Sequence, residues 1–186
     1  MDMTSILAAL ENLDFLSVLW LFPIAFALHE AEEWNIMKWY RRNYTDLPPA
    51  TDRSARTWIV FVSLVGFVWI AIAVLPGNPS VAAFVALPAI ALVIQNALQH
   101  VYWLFYFRQY APGVVTSVLL VIPIGGSIIA RAVQHGYAPL WYVAIWAVLI
   151  VPGLVQTVRA GKEMTSPMRA IHVLGIKLSK RIFRSA

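Results

Sequence analysis

Cysteine is absent from this 186-residue sequence, which excludes disulfides, thiolate metal sites and thiol nucleophiles. Charge is scarce as well: 12% of residues are Asp, Glu, Lys or Arg, against about 25% in an ordinary soluble domain. The start lacks the basic stretch of a cleaved signal peptide and carries Asp2, Glu11 and Asp14 instead, so no such leader is expected. No internal repeat is visible. What fills the chain is apolar: 60% hydrophobic residues, eight tryptophans and a mean hydropathy of +0.71. That composition predicts an all-α integral membrane bundle. Residues 1–160 form one membrane domain of five transmembrane helices, and 161–186 a basic amphipathic C-terminal segment. The net charge of +5 is no nucleic-acid signal, because the positive residues flank the apolar runs.

The spans are expected at 15–34, continuing as helix to 40, and then at 58–75, 81–107, 114–132 and 139–158. Pro88 is expected to kink the third, since it frees a carbonyl one turn back. With the N-terminus outside and the C-terminus cytoplasmic, thirteen of the fourteen Lys and Arg residues face the cytoplasm and only Arg131 does not. Residues 164–183 place Met168, Ile171, Leu174, Leu178 and Ile182 at helical spacing among Arg169, Lys177, Lys180, Arg181 and Arg184. A basic helix lying on the anionic leaflet is expected there.

The first span ends in a concentration of ionisable groups. His29, Glu30, Glu32 and Glu33 occupy five consecutive positions, with a third of the chain's nine acidic residues among them. Each such group costs about 2.5–3.5 kcal/mol at membrane depth, which argues for function. At about 100° per residue, His29, Glu32 and Glu33 share a helix face and Glu30 points to the flank. The third span carries Asn96 and His100 one turn apart, beside Gln95 and Gln99. Both clusters fall in the cytoplasmic half of the bilayer, and the cost of facing lipid predicts that they meet. Imidazole with carboxylate suits zinc, iron or manganese. His29, Glu33, His100 and Asn96 are the candidate ligands. Glu32 and Glu33 are the candidate catalytic carboxylates, one binding metal and the other moving a proton.

The run His29-Glu30-Ala31-Glu32-Glu33 resembles the motif of the HXXEE-domain family of small bacterial membrane proteins. The segment from Asn96 to His100 is similar to that family's second signature, and Tyr110-Ala111-Pro112-Gly113 to the turn that follows it. The resemblance covers about the first 115 residues. It implies a multi-pass protein of the bacterial inner (plasma) membrane and supports pairing the two clusters. It implies no substrate, because the family's function is uncharacterised.

Plainer roles compete at each position. The cluster could be a metal-free polar knot between helices. Gln95 and Gln99 read as supporting or packing groups, Glu30 as a solvated or snorkelling flank, His135 as solvated, His172 as part of the membrane-surface tail, and Arg108 as a topology charge. Trp34, Trp39, Trp58 and Trp103, with Tyr40 and Tyr106, read as an interfacial belt. The expected function is an intramembrane metal-dependent enzyme, a hydrolase or oxidoreductase, acting on an apolar or lipid-like substrate. The alternatives are a proton- or metal-coupled transporter and a metal-free acid/base isomerase. Expected partners are membrane lipids, an apolar or lipid substrate and a second copy of the chain; nucleic acid is not one.

Overall fold

The computed structural model describes residues 13–183, so Asp2, Glu11 and Arg184 lie outside the described residues. Those residues are helical, with no strand among them. Five helical segments are long and apolar enough to cross a membrane: Phe15–Glu32, Asp52–Val74, Pro79–Phe107, Val114–Gln134 and Leu140–Ala160.

The first segment is not one helix. α1 (Phe15–Leu19) starts on Asp14, whose carboxylate accepts the Ser17 N–H at 3.0 Å. The chain bends at Trp20 and resumes as α2 (Leu21–Glu32). Pro23 is the reason: it has no N–H for the Leu19 carbonyl and its ring crowds that group. The expected continuation to Tyr40 also fails. The helix ends at Glu33, and α3 (Ile36–Asn43) begins after a turn. Arg56 holds that turn: its Nε donates to the Trp34 carbonyl at 3.3 Å and a guanidinium N–H to Asn35 Oδ1 at 2.7 Å.

α4 (Asp52–Val74) begins six residues before the apolar run, because Thr51 and Ser54 cap each other's backbone N–H groups. α5 (Pro79–Phe107) starts on an Asn78 cap and runs through Pro88. It closes at Arg108, which has a left-handed backbone (φ 51°). α6 spans Val114–Gln134 and contains a π turn at Ser117–Val121, where the Ile122 N–H reaches back to the Ser117 carbonyl. Pro123 cannot donate to Leu119, and the wider turn accommodates the lost bond. α7 (Leu140–Ala160) runs through Pro152. α8 (Ser166–Phe183) packs against α4.

Two cores hold the bundle. In the first, Phe15, Leu19, Phe22, Ile70, Ile90 and Ile128 close around Ala82, Ala83 and Ala86. Those small residues let the helix backbones approach closely. The second is aromatic: Trp39, Tyr40, Tyr44 and Trp103 pack with Ile36, Met37 and Met168. Trp39, Tyr40 and Trp103 are therefore buried rather than part of an interfacial belt, because α3 folds back under the bundle. α8 differs from its expected form too. It buries Met168, His172, Gly175 and Ser179, and leaves Ile171, Leu174 and Ile182 exposed. The small side at Gly175 explains the choice: a Cβ there would stand 2.9 Å from the Ser54 carbonyl oxygen, so only glycine admits this approach.

Candidate metal centre

The polar cluster lies between the two cores. α2 brings His29, and its terminal turn brings Glu33 beneath it. α5 brings Asn96 and His100. The two imidazoles are fully buried, with ring centroids 5.0 Å apart and planes at 88°. Glu33 Oε1 lies 3.2 Å from His29 Nε2 and 3.0 Å from His100 Nε2. Asn96 Oδ1 lies 2.9 Å from His29 Nε2. The donor atoms of His29, Glu33 and His100 all fall within 4.8 Å of one another. The pairing expected from topology is thus present.

The tautomer of His29 follows from its surroundings. Nδ1 lies 3.1 Å from the Gly113 carbonyl oxygen and 3.0 Å from Thr116 Oγ1. A carbonyl only accepts, and the Thr116 hydroxyl already donates to Glu32 Oε2 at 2.6 Å, so Nδ1 carries the proton. In a neutral ring Nε2 then turns a lone pair toward two oxygens, whereas in an imidazolium it donates to Asn96 Oδ1 at 2.9 Å. Close as they are, the Glu33 contacts are not aligned as hydrogen bonds: Glu33 Oε1 and both nitrogens of His100 have no hydrogen-bond partner among the described residues. Converging lone pairs repel unless a proton or a metal ion stands among them. Two ligands about 2.0–2.1 Å from one ion lie about 2.9–3.4 Å apart, the separation seen here. The Nδ1–H to carbonyl bond is also the support that metal-binding histidines ordinarily have.

Gly113 makes the close packing feasible. Its φ is 94°, and a Cβ would stand 2.8 Å from His100 Nδ1 and 2.9 Å from His29 Cε1. Its carbonyl also accepts from Ser117 Oγ at 2.7 Å. Glu32 has other partners. Its oxygens accept from the Tyr110 hydroxyl (2.6 Å), the backbone N–H groups of Val115 (3.2 Å) and Thr116 (2.8 Å), and Thr116 Oγ1. It serves as an anion at the start of α6. The Tyr110 hydroxyl is pushed up to about 12 by burial and by this carboxylate.

A cavity of about 370 Å³ opens beside the cluster, bordered by Glu33 and Asn96 at its polar end and by Phe26, Trp58, Ile59 and Leu92 along its walls. Glu30 borders it as well. It is buried, contrary to the expected flank, because α4 and α8 enclose that side of α2. His172 is likewise buried, with its ring 5.1 Å from that of Tyr40, and burial holds its pKa below the usual histidine value. Gln99 donates to Met168 Sδ at 3.2 Å, and Gln95 packs at Gly153 on α7. His135 is exposed and stacks on Tyr137. Sequence reasoning missed Thr116, Ser117 and His172 as neighbours of the site; of the third segment, only the turn ending in Gly113 was visible.

A family model described as "Protein of unknown function with HXXEE motif" matches residues 20–128, more than half of the chain. The matched stretch contains the cluster, both of its helices and the Gly113 turn. No curated protein and no solved structure matches the chain.

Proposed function

Since the chain belongs to the HXXEE family, whose description assigns no activity, we propose a function from the geometry: an intramembrane metal-dependent enzyme acting on an apolar or lipid-like substrate. One observation carries this reading. Glu33 Oε1 stands between His29 Nε2 and His100 Nε2, at 3.2 and 3.0 Å, neither it nor His100 Nε2 has a hydrogen-bond partner among the described residues, and Glu33 borders an apolar, substrate-sized cavity. In this reading His29, His100 and Glu33 hold zinc, iron or manganese, and Asn96 is a fourth ligand or orients the substrate. A bound divalent ion supplies Lewis acidity and lowers the pKa of its water. Glu30 and Asn96 are among the polar groups that a substrate in the cavity meets. Glu32 holds the first turn of α6, and through Thr116 and Gly113 it fixes the His29 ring. The polar groups gather at one depth of the bundle, which favours a reaction site over a staged path across the membrane. The protein sits in the inner membrane with the cluster in the cytoplasmic half, the orientation that the Lys and Arg distribution favours.

Elemental analysis of the detergent-purified protein, beside His29→Ala and His100→Ala, tests the reading. The expected result is about one zinc, iron or manganese ion per chain, lost in both variants. A folded wild-type protein that takes up none of the three when they are offered would overturn it, as would metal retained in both variants.

A further inference from the structure

A second cavity of about 400 Å³ lies where the first turn of α4 meets the end of α8. Arg53 borders it from α4 and Lys180 from α8. The Arg53 guanidinium is held over the Phe183 ring, 5.4 Å from its centroid. The acid next to it, Asp52, is turned away and paired with Arg41 at 3.2 Å. Thr51 and Ser54, also on the border, mark the positive end of a 23-residue helix. Ser179 borders the same groove. Its residue surface is 8% exposed, and its hydroxyl has no hydrogen-bond partner among the described residues. Two cations, a helix N-terminus and a buried free hydroxyl make an anion site.

The groove adjoins the first cavity. Ser54 borders both, and α8 passes it at closest approach, with Gly175 on the first cavity and Ile176 on the second. The first cavity has apolar walls, and its rim residues Leu92 and Ile171 are 57% and 40% exposed on the outside of the bundle. A charged groove at the bundle end and an apolar slot reaching inward have the outline of an amphiphile.

We propose that the groove binds the phosphate of an anionic membrane lipid, with its acyl chain in the apolar cavity beside the histidine cluster. Naming that lipid as the substrate rests on the functional reading above; the binding itself does not need the metal. Polybasic attraction to a negative surface does not explain such a site, because it requires no particular lysine or arginine.

The test titrates full-length protein in neutral detergent with fluorescent phosphatidylglycerol, and separately with phosphatidylcholine and inorganic phosphate. Metal content and helical circular dichroism are read on the same samples. Wild type is expected to prefer phosphatidylglycerol at least tenfold. Arg53→Gln with Lys180→Gln should weaken it about twenty-five-fold, and exposed Lys180→Gln alone about fivefold. Lys177→Gln with Arg181→Gln removes equal charge from outside the groove and should change affinity less than threefold. Equal losses in the two double variants, no preference over phosphatidylcholine, or binding of inorganic phosphate without the lipid would each overturn the proposal. Should the first double variant misfold, Lys180→Gln against Lys177→Gln decides alone. Lipid preference without metal would refute only the metal reading, and metal without lipid preference only this one.

Discussion

Gly113→Ala isolates the part of the site that is steric rather than electrostatic. Two costs arise. An alanine at φ 94° carries a left-handed penalty of about 1–2 kcal/mol. Its Cβ also meets two buried rings at 2.8 and 2.9 Å, and overpacking of that kind costs about 1–3 kcal/mol. Gly77→Ala separates them, because Gly77 has φ 67° and nothing within 4 Å of a Cβ. It bears the first cost only. The difference between the two variants is therefore the clash, about 1–3 kcal/mol, or about 2–12 °C in Tm for a chain of this length. Thermal unfolding of chelator-treated protein in detergent is the assay, since bound metal would mask the difference. Gly113→Ala should also hold less metal than Gly77→Ala, because the rings must move apart. If the two variants melt within 1 °C of each other, the packing of both histidines against this turn is wrong.

The neighbouring carboxylates should divide their roles. Glu33→Gln is expected to lose the metal with little change in the stability of the stripped protein. Glu32→Gln is expected to keep the metal and lose about 1.5–3 kcal/mol, since its four hydrogen bonds include two to backbone N–H groups. The reverse allocation, read by metal stoichiometry and unfolding, would put Glu32 at the centre. His172 should make the seat of α8 sensitive to acid. Burial lowers its pKa, while Glu33 across the cavity pulls the other way. A lowered folded-state value means that the stabilisation is complete above the ordinary histidine value near 6.5 and is lost as pH falls below it. Proteolysis of the segment joining α7 and α8 should therefore be faster at pH 5.5 than at 7.5 in wild type, after correction for the protease. An equal acceleration in His172→Phe would dismiss His172 as the cause.

The meeting of His29, Glu33 and His100 was legible because two independent patterns pointed to it. His29 and Glu33 are four apart, so one helical turn brings them together, and charge asymmetry placed His100 at the same depth. Glu32 shared the same wheel face but is hydrogen-bonded to Tyr110, Val115 and Thr116 instead of facing His100. The wheel shows which residues lie together, not that α6 on one flank offers free N–H groups and α5 on the other offers His100. Glu30 read as a flank because a single helix gives no sign that α4 and α8 will enclose it. α8 was the hardest to read: its apolar stripe suggested a surface helix, yet it packs through Met168, His172, Gly175 and Ser179 and leaves Ile171, Leu174 and Ile182 exposed, because close backbone approach at Gly175 outweighs side-chain hydrophobicity. The helix break at Trp20 follows from nearby Pro23, whereas the one at Glu33 is held by Arg56, more than twenty residues away in sequence.

The way the cluster is assembled also bears on biogenesis. Phe15–Glu32 is the least apolar of the five candidate spans, and it is made first. At that moment His29 has no Gly113 carbonyl, Glu32 has no α6 to cap, and Glu33 faces no second imidazole. Their partners arrive some seventy to eighty-five residues later, after two more spans have been synthesised. This segment therefore depends on the rest of the chain to remain in the bilayer. A truncation ending before Asn96 would leave the ionisable groups of this segment without Asn96, His100, the Gly113 carbonyl and the start of α6.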